Sequence, residues 1–323
     1  MNKRNNVLLL INAFISIILV VALLYYAGIG DVFKNVERIN LFYLFFAGLS
    51  LIAVDVAMAF RIKVMLEGMA QKTAFLNILK SHFVGMLTSN FTPARAGYFA
   101  TAANLRLNYK IKSESALLSI FGPQIYDFTV KIVFGAIALV YLLNVIGERI
   151  ENNLIAFLGV LVLSLMVAIM LLLLFSKKFL LLFSFSKSIP FVCRVYAIFE
   201  RMQEHSHHLV RNSSKIIGLT AISFIAKALE WFFIAKACSI ELNVGFPEIL
   251  FFFLLQPLVT ILDFIPFLTI AGLGLTEGAN ILVLGLFGVS SAQALLFSLL
   301  TRFMLVFVHL PAIGEALKIY SAK

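Results

Sequence analysis

Charge is scarce in this chain, and acid is scarcer than base. Of 323 residues only 13% are charged, 16 Asp and Glu against 26 Lys and Arg. A soluble domain would carry about twice that share, so a soluble globular fold is excluded. Cysteine is nearly absent: Cys193 and Cys238 have no CxxC or CxxxH partner spacing, which excludes a disulfide framework and a cysteine-based zinc site. There is no P-loop, no HExxH and no serine or cysteine nucleophile set beside a base. ATP-driven transport by this chain is therefore excluded, and no enzymatic centre or cofactor site is expected.

What fills the sequence is hydrocarbon. The chain is 62% hydrophobic with 33 Phe and a mean hydropathy of +1.01. Those values specify an all-α, polytopic helical membrane protein. The formal net charge of +10 falls mainly in the stretches between apolar runs. That distribution is the positive-inside pattern and suits anionic lipid headgroups; a nucleic-acid partner is not expected.

Spans need about 20 apolar residues each. Val7–Ile29 reads as an uncleaved first span, since Tyr25 and Tyr26 stand where a signal peptidase would need small residues. Leu41–Phe60 is the second, carrying Asp55 and followed by a basic linker with Arg61, Lys63 and Lys72. Phe75–Phe91 is short, interrupted by Lys80, His82 and Asn90, and ends in Asn90-Phe-Thr-Pro93-Ala-Arg95-Ala-Gly97. Ser115–Asn144 contains Asp127 and Lys131, Leu154–Phe175 has no charge, and 176–214 is a polar loop. Lys215–Cys238 carries Lys227, Glu230 and Lys236, and Phe246–Leu317 is apolar apart from a few placed charges. The expectation is six to eight spans, arranged as a half of about 1–145 and a half of about 154–317.

Orientation follows from counting. With both termini inside and Phe75–Gly97 re-entrant, seventeen of the 26 basic residues lie on the cytoplasmic side and three outside. A full crossing by Phe75–Phe91 would split the basic linkers between faces. The plasma membrane, with cytoplasmic termini, is the expected location.

One stretch breaks the apolar rule: Asp263–Gly278, which reads D-F-I-P-F-L-T-I-A-G-L-G-L-T-E-G. Pro266 forbids a continuous helix, while Gly272, Gly274 and Gly278 permit unusual dihedrals or close approach. Asp263 and Glu277 are costly in hydrocarbon unless they face protein or water. Broken backbone at membrane depth is tolerated only where protein buries it or a wet cavity exposes it. Asn90-Phe-x-Pro93 and Asp263-Phe-x-Pro266 repeat one pattern in the two halves, each followed by glycine. Two broken segments of opposite topology point to an inverted-repeat transporter.

The remaining polar residues each have a plain alternative. Asp127 and Lys131 are spaced i, i+4 and Lys227 and Glu230 i, i+3; either pair can lock helices together or line a polar path. Arg95 is an interfacial snorkelling residue or a bidentate phosphate clamp. Arg302 requires an anion, either Glu277 or a substrate phosphate. His205, His207 and His208 lack carboxylate or cysteine partners and read as solvated loop residues, so no metal is expected. Gly272-Leu-Gly274 has no preceding strand and is no dinucleotide loop; Gly274-x-x-x-Gly278 suits close helix packing.

Gly85–Gly97, the span with Asp127, and Pro266–Gly278 followed by Arg302 together resemble the flippase-like transmembrane domain of the lysylphosphatidylglycerol synthase family. The resemblance covers essentially the whole chain. It implies a domain that moves modified lipids between leaflets, without the aminoacyltransferase domain, for which Ala316–Lys323 leaves no room. The expected headgroup-binding residues are then Asn90, Arg95, Asp127, Lys131, Asp263, Glu277 and Arg302, with breaks at Pro93, Gly97, Pro266, Gly272, Gly274 and Gly278. The expected partners are anionic or polyprenyl-linked membrane lipids, with a separate transferase or a second copy of the chain as further candidates. An accessory subunit of a transferase, or an intramembrane lipid-acting enzyme, are the rival readings.

Overall fold

The computed structural model describes residues 3–93, 95–146, 206–242, 244–264 and 269–321, with isolated positions between 172 and 204. The expected span Leu154–Phe175 apart from Leu172, most of the loop at 176–214, Cys193, His205 and Pro266 lie outside the described residues. Among the described residues the structure is helical, with one isolated backbone bridge.

Helix α1 (Lys3–Ala27) continues through Gly28 into α2 (Ile29–Val36). The two meet at 84°, and Gly28 takes the bend at φ 81°. Helix α3 (Leu41–Gly68) starts on the Asn40 cap, whose Oδ1 accepts the Phe42 N–H at 3.0 Å. Its 28 residues span about 42 Å, more than the hydrocarbon core. This corrects the expected end at Phe60. Arg61 belongs to the helix rather than to a basic linker, and it is buried. Hydropathy stops at the first charge; the fold supplies that charge with partners and carries the helix on.

Helix α4 (Phe75–Ser89) has 15 residues, about 22 Å, too short to cross. After residues 90–95 a 3₁₀ turn (Ala96–Phe99) leads into α5 (Ala100–Tyr109), which packs back along α4. The expected hairpin is present as two short helices packed on one another, neither long enough to be a span. Helix α6 (Ser113–Ile146) is a long span with Pro123 inside it. Helix α7 (Ser206–Arg211) carries His207 and His208, so these sit on a short helix rather than in a loop. Helix α8 (Ser213–Ala237) makes with α3 the most extensive helix pair among the described residues.

The second break repeats the plan of the first. Helix α9 (Glu248–Thr260) runs into a 3₁₀ turn (Ile261–Phe264), and α10 (Leu275–Gly285) follows residues 269–274. Helices α11 (Ser291–His309) and α12 (Ile313–Ser321) close the chain around a short 3₁₀ turn. Four described helices are long and apolar enough to cross a membrane, five if the bent α1–α2 pair is one span. This is a polytopic, all-helical, multi-pass membrane protein.

Three interior clusters among the described residues hold the helices, two of them large. One gathers Trp231, Phe252, Leu295 and Phe297 from α8, α9 and α11; the other gathers Met65, Leu105, Leu118 and Ile216 from α3, α5, α6 and α8. Phe14, Phe42, Phe45 and Leu282 point outward, as lipid-facing side chains do. Between helices in lipid the gain is close packing rather than the removal of water.

Candidate functional site

The two breaks touch. Pro93 and Ile270 form an antiparallel backbone bridge, and Arg95 Nη2 donates to Asp263 Oδ2 at 2.6 Å. Arg95 sits at φ 53° as the cap of the 3₁₀ turn, a left-handed position that aims its side chain across the gap. Ser16 on α1 accepts the Ile270 N–H at 2.9 Å and ties the second break to the first helix.

Glycine is required at both breaks by contact distance. A Cβ on Gly97 would lie 2.3 Å from the Thr88 carbonyl oxygen. At Gly272, with φ 73°, it would lie 2.6 Å from Asp263 Oδ1. Gly274 and Gly278 face Leu19 and Leu23 of α1, which gives the expected small-residue packing a partner.

A cavity of about 450 Å³ opens where the breaks meet α3, α6, α8 and α11. Six of the seven expected headgroup residues line it: Arg95, Asp127, Lys131, Asp263, Glu277 and Arg302. Asn90 is the exception. It caps α4, is buried and does not line the cavity, and neither of its side-chain polar atoms has a protein partner.

The lining charges are arranged in pairs that sequence spacing only partly anticipates. The oxygens of Asp127 have a partner far away in sequence. Arg61 takes them both, Nη1 to Oδ1 at 2.6 Å and Nη2 to Oδ2 at 2.9 Å. A planar guanidinium matches a carboxylate in this two-bond mode, which an ammonium cannot. Arg61 also donates to Thr220 Oγ1 at 2.9 Å. Lys227 and Glu230 pair at 2.5 Å, as their spacing implies.

Arg302 meets Glu277, with Nε to Oε1 at 2.8 Å. Its two terminal nitrogens also reach the Ala271 carbonyl at 3.2 and 3.3 Å, and Nη2 reaches Thr276 Oγ1 at 3.0 Å. Glu277 Oε2 in turn accepts the Gly274 N–H at 2.6 Å, closing the first turn of α10. The Glu277–Arg302 pair thus fastens the second break to α11 while facing the cavity.

Several lining groups went unrecognised in the sequence. Arg61 read as linker, and Trp231, Asn280 and Ser298 carry no local signal. Asn280 donates to Ser298 Oγ at 2.8 Å, while its Oδ1 has no protein partner. Arg61 Nε, Arg95 Nε and Trp231 Nε1 are likewise buried without one. Among the described residues no group of three or more His, Cys, Asp or Glu side chains is arranged to hold a metal ion.

The sequence profile of the family described as the lysylphosphatidylglycerol synthase TM region matches residues 10–312. That is nearly the whole chain, and the chain belongs to this family. No curated protein and no solved structure matches it.

Proposed function

We propose that this chain, as a member of the lysylphosphatidylglycerol synthase transmembrane family, is a lipid translocase. It moves the headgroup of an anionic phospholipid or polyprenyl-linked lipid between leaflets through the cavity between its two breaks. The observation that carries this reading is the cavity itself: a charged, protein-walled space at the tips of two re-entrant segments. Chains with that design place substrate where the broken segments meet.

Size and charge favour a headgroup. About 450 Å³ is the size of a small-molecule site, so a headgroup fits while the acyl or prenyl tails stay in lipid. Five cations, Arg61, Arg95, Lys131, Lys227 and Arg302, face three carboxylates, Asp127, Asp263 and Glu277, across the lining. The net positive wall suits an anion. A phosphate arriving at Arg95 exchanges one anionic partner for another, so the guanidinium never faces hydrocarbon bare. In this reading the carboxylates hold the arginines in place between turnovers.

The protein sits in the plasma membrane with both termini cytoplasmic. The test is leaflet exchange of fluorescent or native anionic lipid by purified protein in proteoliposomes. Exchange above that of protein-free vesicles supports the reading. Well-folded protein that exchanges no lipid, and co-purifies with a transferase, would replace it with the accessory-subunit role.

A further inference from the structure

Outside the cavity lining, the interior holds a second polar constellation. Asp55 on α3 is fully buried between two imidazoles: His82 Nε2 on α4 lies 3.1 Å from Oδ1, and His309 Nε2 at the end of α11 lies 3.1 Å from Oδ2. Both histidines are fully buried as well. His82 Nδ1 lies 3.1 Å from the hydroxyl of Tyr98, which lines the cavity. His309 Nδ1 faces the Leu305 carbonyl.

Hydrogen-bond accounting shows how many protons this row holds. A carbonyl oxygen only accepts, so His309 Nδ1 carries a hydrogen. Its Nε2 faces a carboxyl oxygen. If Asp55 is ionised, Nε2 must also carry a hydrogen and His309 is an imidazolium. If Nε2 is bare, Asp55 must carry the hydrogen instead. Either way the Asp55–His309 pair holds one proton more than a carboxylate beside a neutral imidazole, and the pair is neutral as a whole. His82 needs no extra proton: Nε2–H donates to Asp55 and Nδ1 accepts from the Tyr98 hydroxyl.

The charged groups around the row complete the picture. Arg61 of the same helix acts on His82 and Tyr98, Asp127 of α6 acts on Tyr98, and Glu230 of α8, paired with Lys227, feels both Asp55 and His309. These include members of the cavity's ion pairs. Loss of the extra proton would leave the row with a net negative charge, sealed from water and next to that wall. Its cost would depend on what the cavity holds.

We propose that Asp55, His82 and His309 form a proton-binding site that exchanges with the cavity through Tyr98, making H⁺ the coupling ion of headgroup movement. The inference rests on the translocase reading. The step is a relay without electron transfer. From the emptied row, with Asp55 ionised and both imidazoles neutral, a proton reaching the Tyr98 oxygen from the cavity releases the hydroxyl proton to His82 Nδ1, and His82 gives its Nε2 proton to Asp55 Oδ1. His82 then stands in its other neutral tautomer, with Nδ1–H towards the Tyr98 oxygen. The reverse sequence empties the site. The proton gained offsets one negative charge of an entering anionic headgroup. Buried, paired titratable groups within a transporter mark such relays, and imidazoles exchange protons in the physiological range.

The experiment measures the steady-state distribution of an anionic phospholipid between leaflets of proteoliposomes held at a transmembrane difference of one pH unit. One proton coupled to one lipid shifts that ratio by up to about tenfold, because one pH unit is worth 1.36 kcal/mol. Wild type is expected to shift the ratio with the sign of the gradient. In Asp55→Asn and Tyr98→Phe, whatever exchange remains should settle at the same ratio with and without the gradient. Wild-type exchange that ignores the gradient overturns the coupling and leaves the translocase standing; so does a gradient response that survives in both variants.

If wild type exchanges no lipid, the translocase reading falls, and ¹⁵N-imidazole NMR in nanodiscs judges the proton site alone. His205, His207 and His208 are replaced by Gln for that measurement. A His309 or His82 signal that changes protonation state as the bulk pH is varied, and ceases to do so in Asp55→Asn, upholds the site. Signals that do not respond to bulk pH overturn it.

Discussion

Arg95 and Asp263 are 168 residues apart in sequence and 2.6 Å apart in space, one on each break of the backbone. Beside them Pro93 and Ile270 are the partners of an antiparallel backbone bridge. The pair is largely buried, with side-chain exposures of 17% and 5%. In a low-dielectric interior, removal of one partner strands the other charge. Asp263→Ala or Arg95→Ala is expected to cost about 3 kcal/mol or more of stability, read as a lower unfolding midpoint in detergent. The double variant Arg95→Met/Asp263→Leu should lose less than the sum of the two. An additive double variant would show that the pair does not join the breaks.

The glycine at the first break tests close approach. Gly97→Ala places its Cβ 2.3 Å from the Thr88 oxygen, whereas a Cβ on Gly285 meets nothing within 4 Å. Gly97→Ala is expected to destabilise by about 1–3 kcal/mol, as overpacking does, and to reduce folded yield. Gly285→Ala should be close to neutral. Equal yields of the two variants on size-exclusion chromatography would contradict the contact.

Arg61 and Asp127 make a two-bond fork that lysine cannot reproduce. Arg61→Lys should therefore behave nearly as badly as Arg61→Ala in lipid exchange, while Lys63→Arg, on a partly exposed side chain with a loose contact to Glu67, should leave it unchanged. Wild-type exchange rates in Arg61→Lys would mean that charge alone suffices there.

The single tryptophan provides a built-in reporter. Trp231 lines the cavity and sits edge-on to Phe297 at a centroid distance of 5.4 Å. A short-chain phosphatidylglycerol added to detergent-solubilised protein is expected to shift its emission saturably. Phosphatidylcholine of the same chain length should shift it less, because the lining is net positive. An identical response to both lipids would contradict a charge-selective cavity.

Topology is checked by labelling. With Cys193 and Cys238 replaced, Lys34→Cys should react with an impermeant maleimide in intact cells and Lys112→Cys only after permeabilisation. Both positions are exposed. The opposite pattern would invert the orientation.

Much of this site was legible in the sequence, for a physical reason. A proline, glycines and carboxylates inside an apolar run conflict with a plain span, and such conflicts gather where backbone is broken around a polar space. That logic found both breaks and six of the residues lining the cavity, and Glu277 does meet Arg302. It failed where partnership is long-range. Arg61 follows the second apolar run and looks like a linker until Asp127 and Thr220 are brought to it from α6 and α8. Asp55, His82 and His309 are separated by up to 254 residues, and nothing in their local sequence announces the row they form. Asn90 has its place in the repeated pattern but caps α4 and does not line the cavity.

The central claim is that the cavity between the breaks carries a headgroup across. The most direct measurement is the leaflet-exchange rate of an anionic lipid in proteoliposomes, comparing wild type with Arg302→Ala, Glu277→Ala and Asp127→Asn, each first shown to be folded and monodisperse. The account predicts wild-type exchange at least about tenfold above protein-free vesicles, a 1.4 kcal/mol effect, and folded variants that fall towards the protein-free rate. Folded variants that exchange lipid as fast as wild type, or folded wild type that exchanges none, would contradict it.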